Sequence, residues 1–314
     1  MRSVVLLTCC LSLAGWNALA QPASQTPSGE EFKISATVDL VLLDVSVRDK
    51  QGGFVSGLNK TDFKVFENGK PQTLNQFSNA DQPVTVGLIV DNSGSMGPKR
   101  PEVVTAALVF VGASNPLDEM FVLHFNDKVE HGLPDTVLFS DDIQQLRTAL
   151  WRGPASGRTA LYDAILAGLH QLDMGRQAKK TLIVISDGGD NISKHTLKDV
   201  MDAVLASQAT IYTVGIFDEG DPDRNPAVLK KLAQVSGGVA YFPDKLDQVL
   251  DICRQIAKDI RSRYTLAYSP QDINRPGAKH IKVEAVSADR GKLVARTRSS
   301  YVIPTVQAAD RSSK

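Results

Sequence analysis

The rhythm of apolar and polar positions changes along the chain. In the first stretch Ile34, Ala36, Val38, Leu40 and Leu42 alternate with polar or neutral residues, and then Leu43, Val45 and Val47 take over in the opposite phase. A period of two belongs to a β-strand, and a change of parity points to a bulge or a strand passing between layers. Gln51-Gly52-Gly53 reads as a turn. Phe63 to Phe66 then leads into Glu67-Asn68-Gly69-Lys70, and Gln72 to Phe77 returns. Asn-Gly between such runs is a hairpin signal, because both central residues must take positive φ.

From Val84 the grammar is that of alternating strands and helices. Val84–Val90 is nearly continuously apolar, as a strand buried on both faces should be. Val104, Leu108 and Val111 share a helical face, Phe121 to Phe125 is a strand, and Ile143, Leu146 and Leu150 mark a helix that Ser140 is placed to cap. Leu161, Ile165 and Leu169 mark the next helix. Strand Thr181–Ser186, helix Leu197–Val204, strand Thr210–Ile216 and a helix around Leu229 and Leu232 follow, the last closed by Gly237-Gly238. Helix Leu246–Ile260 and strand Tyr264–Tyr268 complete the series. This alternation predicts an α/β fold with a doubly wound, mostly parallel sheet.

The tail returns to β, with His280–Val286 and Lys292–Thr297 flanking the turn Asp289-Arg290-Gly291. Two strands alone are marginal in water. The economical arrangement is one accessory antiparallel β domain built from 31–80 and 270–303, with the α/β domain, 82–265, inserted between them. Residues 21–30 read as a flexible leader and 304–314 as a flexible tail.

Residues 1–20 follow another logic. Arg2, an apolar run from Val4 to Ala14 and Ala18-Leu19-Ala20 before Gln21 form the pattern of a signal peptide. The run is shorter than the roughly 20 residues a membrane span needs. The expectation is an exported protein without a transmembrane segment, periplasmic or secreted after cleavage near Ala20. Its 35 basic and 35 acidic residues balance. That argues against a nucleic-acid binder, which carries a basic face. Cys253, alone beyond the leader, sits in the apolar stripe of its helix and reads as a buried hydrophobe.

The candidate chemistry follows the strand ends, where open α/β sheets hold their ligands. Asp91-Asn92-Ser93-Gly94-Ser95 comes directly after Val84–Val90. Thr159 opens a helix after Gly157-Arg158, and Asp187-Gly188-Gly189-Asp190 comes directly after Thr181–Ser186. If those two strands are neighbours, Asp91, Ser93, Ser95, Thr159 and Asp187 meet on one rim. All five are hard oxygen donors, which suit Mg²⁺ or a similar hard cation rather than zinc.

These motifs resemble the metal-ion-dependent adhesion site of von Willebrand factor A domains. Asp91-x-Ser93-x-Ser95, Thr159 within Gly157 to Asp163, and Ser186-Asp187-Gly188 match it in order over roughly residues 82–265. The stretch Asp62 to Pro71 and its flanking β segments further resemble exported bacterial proteins related to that family, chiefly acidobacterial. The resemblance implies a Rossmann-like domain that binds Mg²⁺, or Mn²⁺ or Ca²⁺ in its place. It also implies that Ser93, Ser95 and Thr159 touch the metal while Asp91 and Asp187 act through water. The partner would be a protein offering an Asp or Glu carboxylate, with no bond broken. Arg158 stands where many relatives have glycine, and would bring a positive charge to the rim.

Two other classes compete. A hydrolase could use the Asp/Ser rim, through metal-activated water or through Ser95 as nucleophile with Asp187 and His195. However, Ser95 lacks the G-x-S-x-G frame and His195 sits in the next helix start. A structural envelope protein could carry the rim unused. His124, mid-strand, reads as a core residue. Asp163 suits the helix dipole or an outer layer of the site, Asp190 is similar, and Lys179-Lys180 reads as solvated.

Overall fold

The computed structural model describes residues 40–218, 224–271 and 276–303. The signal peptide, the leader, the alternation before Leu40 and the tail 304–314 lie outside the described residues. The described residues belong to one compact unit, 38–314, and are built on two sheets.

Strands β1 (Val41–Arg48), β2 (Phe63–Glu67), β3 (Lys70–Gln72) and β4 (Leu74–Ser78) come first. Asn68 and Gly69, with φ of 48° and 79°, turn β2 into β3, so the Asn-Gly hairpin is present. The returning run does not stay one strand. β4 leaves the hairpin and pairs with β11 (Tyr264–Tyr268). Alternation alone appends β11 to the parallel series, yet it lies antiparallel between β1 and β4. Its Tyr264, Leu266 and Tyr268 are buried, so it serves a different core from the one its sequence neighbours fill.

β12 (Gly277–Ser287), β13 (Gly291–Arg296) and β14 (Ser300–Ile303) complete this antiparallel sheet, ordered β3-β2-β12-β13-β1-β11-β4 with β14 on β12. Strands from the two ends of the chain therefore alternate across it. Glu67 is buried there and accepts hydrogen bonds from Tyr268 and Tyr301, both 2.8 Å.

The second sheet runs β10 (Ala240–Tyr241), β9 (Thr210–Gly215), β8 (Lys179–Ser186), β5 (Val84–Asp91), β6 (Glu119–Phe125), β7 (Val129–His131). It is parallel except for β7. Every residue of β5 is buried, which requires cover on both faces. The cover comes from α1 (Arg100–Ala113), α2 (Ile143–Leu150), α3 (Leu161–Asp173), α4 (Leu197–Ala206), α5 (Pro226–Ser236) and α6 (Gln248–Arg261). α1 packs with α2 and α6, while α4 packs with α3 and α5. The cap of α2 is Asp142, whose carboxylate accepts from Gln144 and Gln145; Ser140 instead accepts the Asp142 N–H. The Lys179-Lys180 pair is not solvated. Lys179 is buried and lies 3.6 Å from Asp44, and Lys180 Nζ donates to Gly175 O at 2.6 Å. Cys253 is buried, which pushes its thiol up to about 12.

A polar joint ties the two sheets. Asp259 of α6 is fully buried and accepts from the hydroxyls of Ser46 and Tyr212. Arg263 is also buried; it donates to Tyr212 Oη, Gly237 O, Asp44 O and Thr210 Oγ1, and lies 3.4 Å from Asp259. Gly237 itself closes α5 in the left-handed conformation, φ 83°. A Cβ there would sit 2.4 Å from the backbone of Thr297 and Arg298. Gly237→Ala combines positive-φ strain with overpacking, and should cost about 1–3 kcal/mol. Denaturant unfolding with an unchanged m-value checks this; a midpoint equal to wild type would show that the contact with residues 297–298 relaxes.

Candidate functional site

β5 and β8 are hydrogen-bonded neighbours in register, Val90 opposite Ile185, so their carboxyl ends open on the same edge. Chain geometry then does the rest. β5 ends at Asp91, Ser93 immediately precedes a 3-10 turn over Gly94–Lys99 that feeds α1, and β8 ends at Ser186, one residue before Asp187. The third loop is drawn in by backbone bonds: Gly94 N donates to Gly157 O at 3.1 Å and Ser156 N to Asn92 O at 2.8 Å.

The side chains interlock. Asp91 accepts the Ser93 N–H at 2.9 Å on one oxygen and the Ser186 hydroxyl at 2.6 Å on the other. Asp187 accepts the Ser95 hydroxyl at 2.7 Å, and the Ser93 and Ser95 hydroxyl oxygens lie 3.1 Å apart. Four of the five expected residues thus form one bonded cluster. Thr159 is brought alongside by its main chain, which exchanges bonds of 3.0 Å with Asn191. Both aspartates are buried, Asp91 at 2 % and Asp187 at 3 % exposure, whereas Ser95 is open to solvent.

Burial pushes the Asp91 carboxyl up to about 6, and the neighbouring charge of Asp187 adds to the rise; the hydrogen bonds from Ser186 and Ser93 only partly oppose it. Two carboxylates held together away from water are a like-charge pair that favours a proton or a cation between them. The donors are carboxylate and hydroxyl oxygens, so the residues present fit a hard divalent ion. Among the described residues no cluster of three or more His, Cys, Asp or Glu side chains forms, so such an ion would depend on the hydroxyls.

The other sequence candidates are placed differently. Arg158 does not turn a free charge to the rim; its N–H and Nε both donate to Asp127, at 3.2 and 3.3 Å. Asp127 also fills the space beside Gly157, where a Cβ would approach it to 2.3 Å at a φ of 82°. His195 bonds Asp163 through Nδ1 at 2.7 Å. Burial raises the Asp163 carboxyl, but the bonds from His195 and Lys194 outweigh that and hold it below the usual range. Ser95 has Asp187, not an imidazole, at its hydroxyl, so the Ser95–Asp187–His195 nucleophile arrangement is not assembled. Asp190 caps the start of α3 through Tyr162 N and binds the Ser193 hydroxyl. His124 is a core residue bonded to Ala149 O at 2.7 Å, its pKa lowered by burial.

Sequence reasoning quoted Ser186 and Asn92 only as parts of motifs and gave neither them nor Lys99 a role. Ser186 is fully buried and orients Asp91; a hydroxyl ending an otherwise apolar strand was its signal. Asn92 reaches Arg152 O at 3.4 Å. Lys99 is buried and joins Ile216 O at 3.1 Å and Asp218 at 2.9 Å, tying the turn after β5 to the segment that follows β9.

A family profile described as von Willebrand factor type A domain matches residues 86–255. Among solved structures the chain is similar to a von Willebrand factor type A protein from Catenulispora acidiphila: 16% identity, TM-score 0.51, 84% of this chain and 72% of that one covered. It is also similar to proximal thread matrix protein 1 of the mussel byssus, at 13% identity and TM-score 0.50, covering 62% of this chain and 51% of that one. The ArnB paralog VWA2 from Sulfolobus acidocaldarius is 16% identical, with TM-score 0.46 and coverage of 84% and 75%. No curated protein matches the chain.

Proposed function

The chain belongs to the von Willebrand factor type A family, and on that premise we propose that it is an exported protein-binding module whose rim holds a divalent cation and through it a partner carboxylate. Domains of this family serve typically in adhesion and protein–protein interaction. The observation that carries the reading is the bonded set Asp91, Ser93, Ser95 and Asp187, with Thr159 alongside, at the carboxyl ends of adjacent strands. Ser93, Ser95, Thr159, Asp91 and Asp187 would hold Mg²⁺, or Mn²⁺ or Ca²⁺, directly or through water. Hydroxyls add no charge, and aspartates acting through water balance a divalent cation only in part. A cation so held keeps an appetite for one more anionic oxygen, and an Asp or Glu of a partner supplies it. The protein's groups position that oxygen and break no bond. The signal-peptide pattern of residues 1–20 supports the exported part of this reading. Among the described residues no helix is long and apolar enough to cross a membrane.

The test is retention on immobilised protein. Envelope extract is applied in Mg²⁺ and eluted with chelator, against columns bearing Asp187→Ala. A protein retained by wild type, released by chelator and ignored by the variant is the expected result. Retention unaffected by chelator or by the variant would remove the rim from the binding function.

A further inference from the structure

Beside the rim lies a surface that the metal reading does not use. Trp151 ends α2 with 47 % of its surface exposed, among the most exposed large apolar side chains described. It lines an open groove of about 1110 Å³ with Pro134, Gln144, Arg147, Thr148 and Arg152. The Arg100 guanidinium stands 5.9 Å from the Trp151 ring centroid and donates to Gly153 O and Arg152 O. Arg152 donates to the carbonyls of His131, Gly132 and Leu133.

Among the described residues, Arg100, Arg147 and Arg152 pair with no carboxylate. Asp135 lines the groove, and Glu130, which feels Arg152, is already bridged to Lys128 at 2.6 Å. The lining itself sets Arg147 and Arg152 against Asp135, one positive charge in excess, in a chain whose charges balance overall. Its loop is also hydrogen-bonded to the rim. Asn92, between Asp91 and Ser93, donates to the same Arg152 carbonyl that Arg100 holds, and Ser156 N bonds Asn92 O.

We propose that this groove is the second half of the ligand site: it docks an acidic segment of the partner protein, with an aromatic or large aliphatic side chain against Trp151, within a few residues of the carboxylate that meets the metal. The inference rests on the metal reading. Its chemistry is separate: an apolar side chain covers the indole, and neighbouring Asp or Glu residues answer Arg147 and Arg152. An exposed tryptophan flanked by arginines is the composition of an interface hot spot, and the unmatched positive charge selects an acidic partner and speeds its approach.

The sequence holds two tryptophans, Trp16 and Trp151. In the chain carrying Trp16→Phe, indole emission reports on the groove alone. The probe is a displayed library of short random peptides, selected on that chain in Mg²⁺ and re-tested as synthetic peptides. The expected winners carry Asp or Glu together with an aromatic or large aliphatic residue. They should shift Trp151 emission, release in chelator, and lose about ten-fold or more in affinity with Trp151→Ala and with Arg147→Glu. Mg²⁺ affinity measured without peptide should be unchanged in both variants. Arg147 is exposed on α2, so its variant keeps the test alive if Trp151→Ala disturbs the loop. Peptides that need Mg²⁺ and Asp187 but ignore Trp151→Ala and Arg147→Glu would overturn the groove and leave the metal reading standing. Peptides that bind equally in chelator, or no enrichment at all, would overturn both. A dimer in sedimentation that Trp151→Ala dissociates would overturn the acidic-partner assignment in favour of a second copy of the chain.

Discussion

Arg263→Ala is expected to cost the fold about 3–5 kcal/mol, the usual penalty for leaving one member of a buried ion pair without the other. Asp259 would then face Ser46 and Tyr212 with only the weaker influence of Arg48 to balance it, at zero exposure. Thr210, Gly237 and Asp44 would lose a donor in the same step. A domain of this size loses roughly 2–4 °C of Tm per kcal/mol, so the melting point should fall by about 10 °C. Replacing both members with apolar residues, Asp259→Leu with Arg263→Met, should recover most of the loss, because no uncompensated charge is then buried. Differential scanning calorimetry decides it. A single variant that melts like wild type would mean that Asp259 is neutral in the fold and that the joint is held by packing.

The two rim aspartates should separate when replaced one at a time. Asp187→Ala removes a like charge from beside Asp91 and frees the exposed Ser95 hydroxyl to water. In chelator its stability should equal wild type. In Mg²⁺ it should miss the stabilisation that a bound cation gives, because metal affinity drops roughly 10–100-fold when an orienting group is lost. Asp91→Ala should also lose the metal response, but at an added cost of about 1–3 kcal/mol in chelator, since the fully buried Ser186 hydroxyl loses its acceptor. Thermal unfolding with and without MgCl₂ reads both. If wild type melts at one temperature in Mg²⁺ and in chelator, the cation does not bind the folded rim.

Much of this site could be read in the sequence because its chemistry is local. Asp91, Ser93 and Ser95 follow one strand and Asp187 follows another, and strand ends are marked by the halt of an apolar run. That β5 lies beside β8 could only be posed as a condition, since parallel pairing is set by crossover packing and leaves no mark on either strand. The same limit explains β11. Tyr264–Tyr268 has the composition of any buried strand, and only the core it faces tells which sheet owns it. The Asp259–Arg263 pair was hidden in an amphipathic helix end, where such spacing usually means a solvated i,i+4 pair. Ser140 and Asp142 both offered a cap to α2, and hydrogen-bond reach decided between two residues that propensity ranks alike. Arg158 was visible as a charge near the rim, but its partner Asp127 comes from a different loop.

The antiparallel sheet packs against the amino ends of the parallel strands, through Lys179 with Asp44 and Arg263 with Thr210. The rim stands at the other end of β5 and β8, each eight residues long, or roughly 26 Å away at 3.3 Å per residue. Whatever chain precedes β1 or follows β14 joins the molecule at the antiparallel sheet. A pull applied at the rim and resisted through those flanking segments would load β5 and β8 along their own axes. Under that geometry neighbouring strands slide rather than peel, and the ladder bonds between them are strained together instead of one after another.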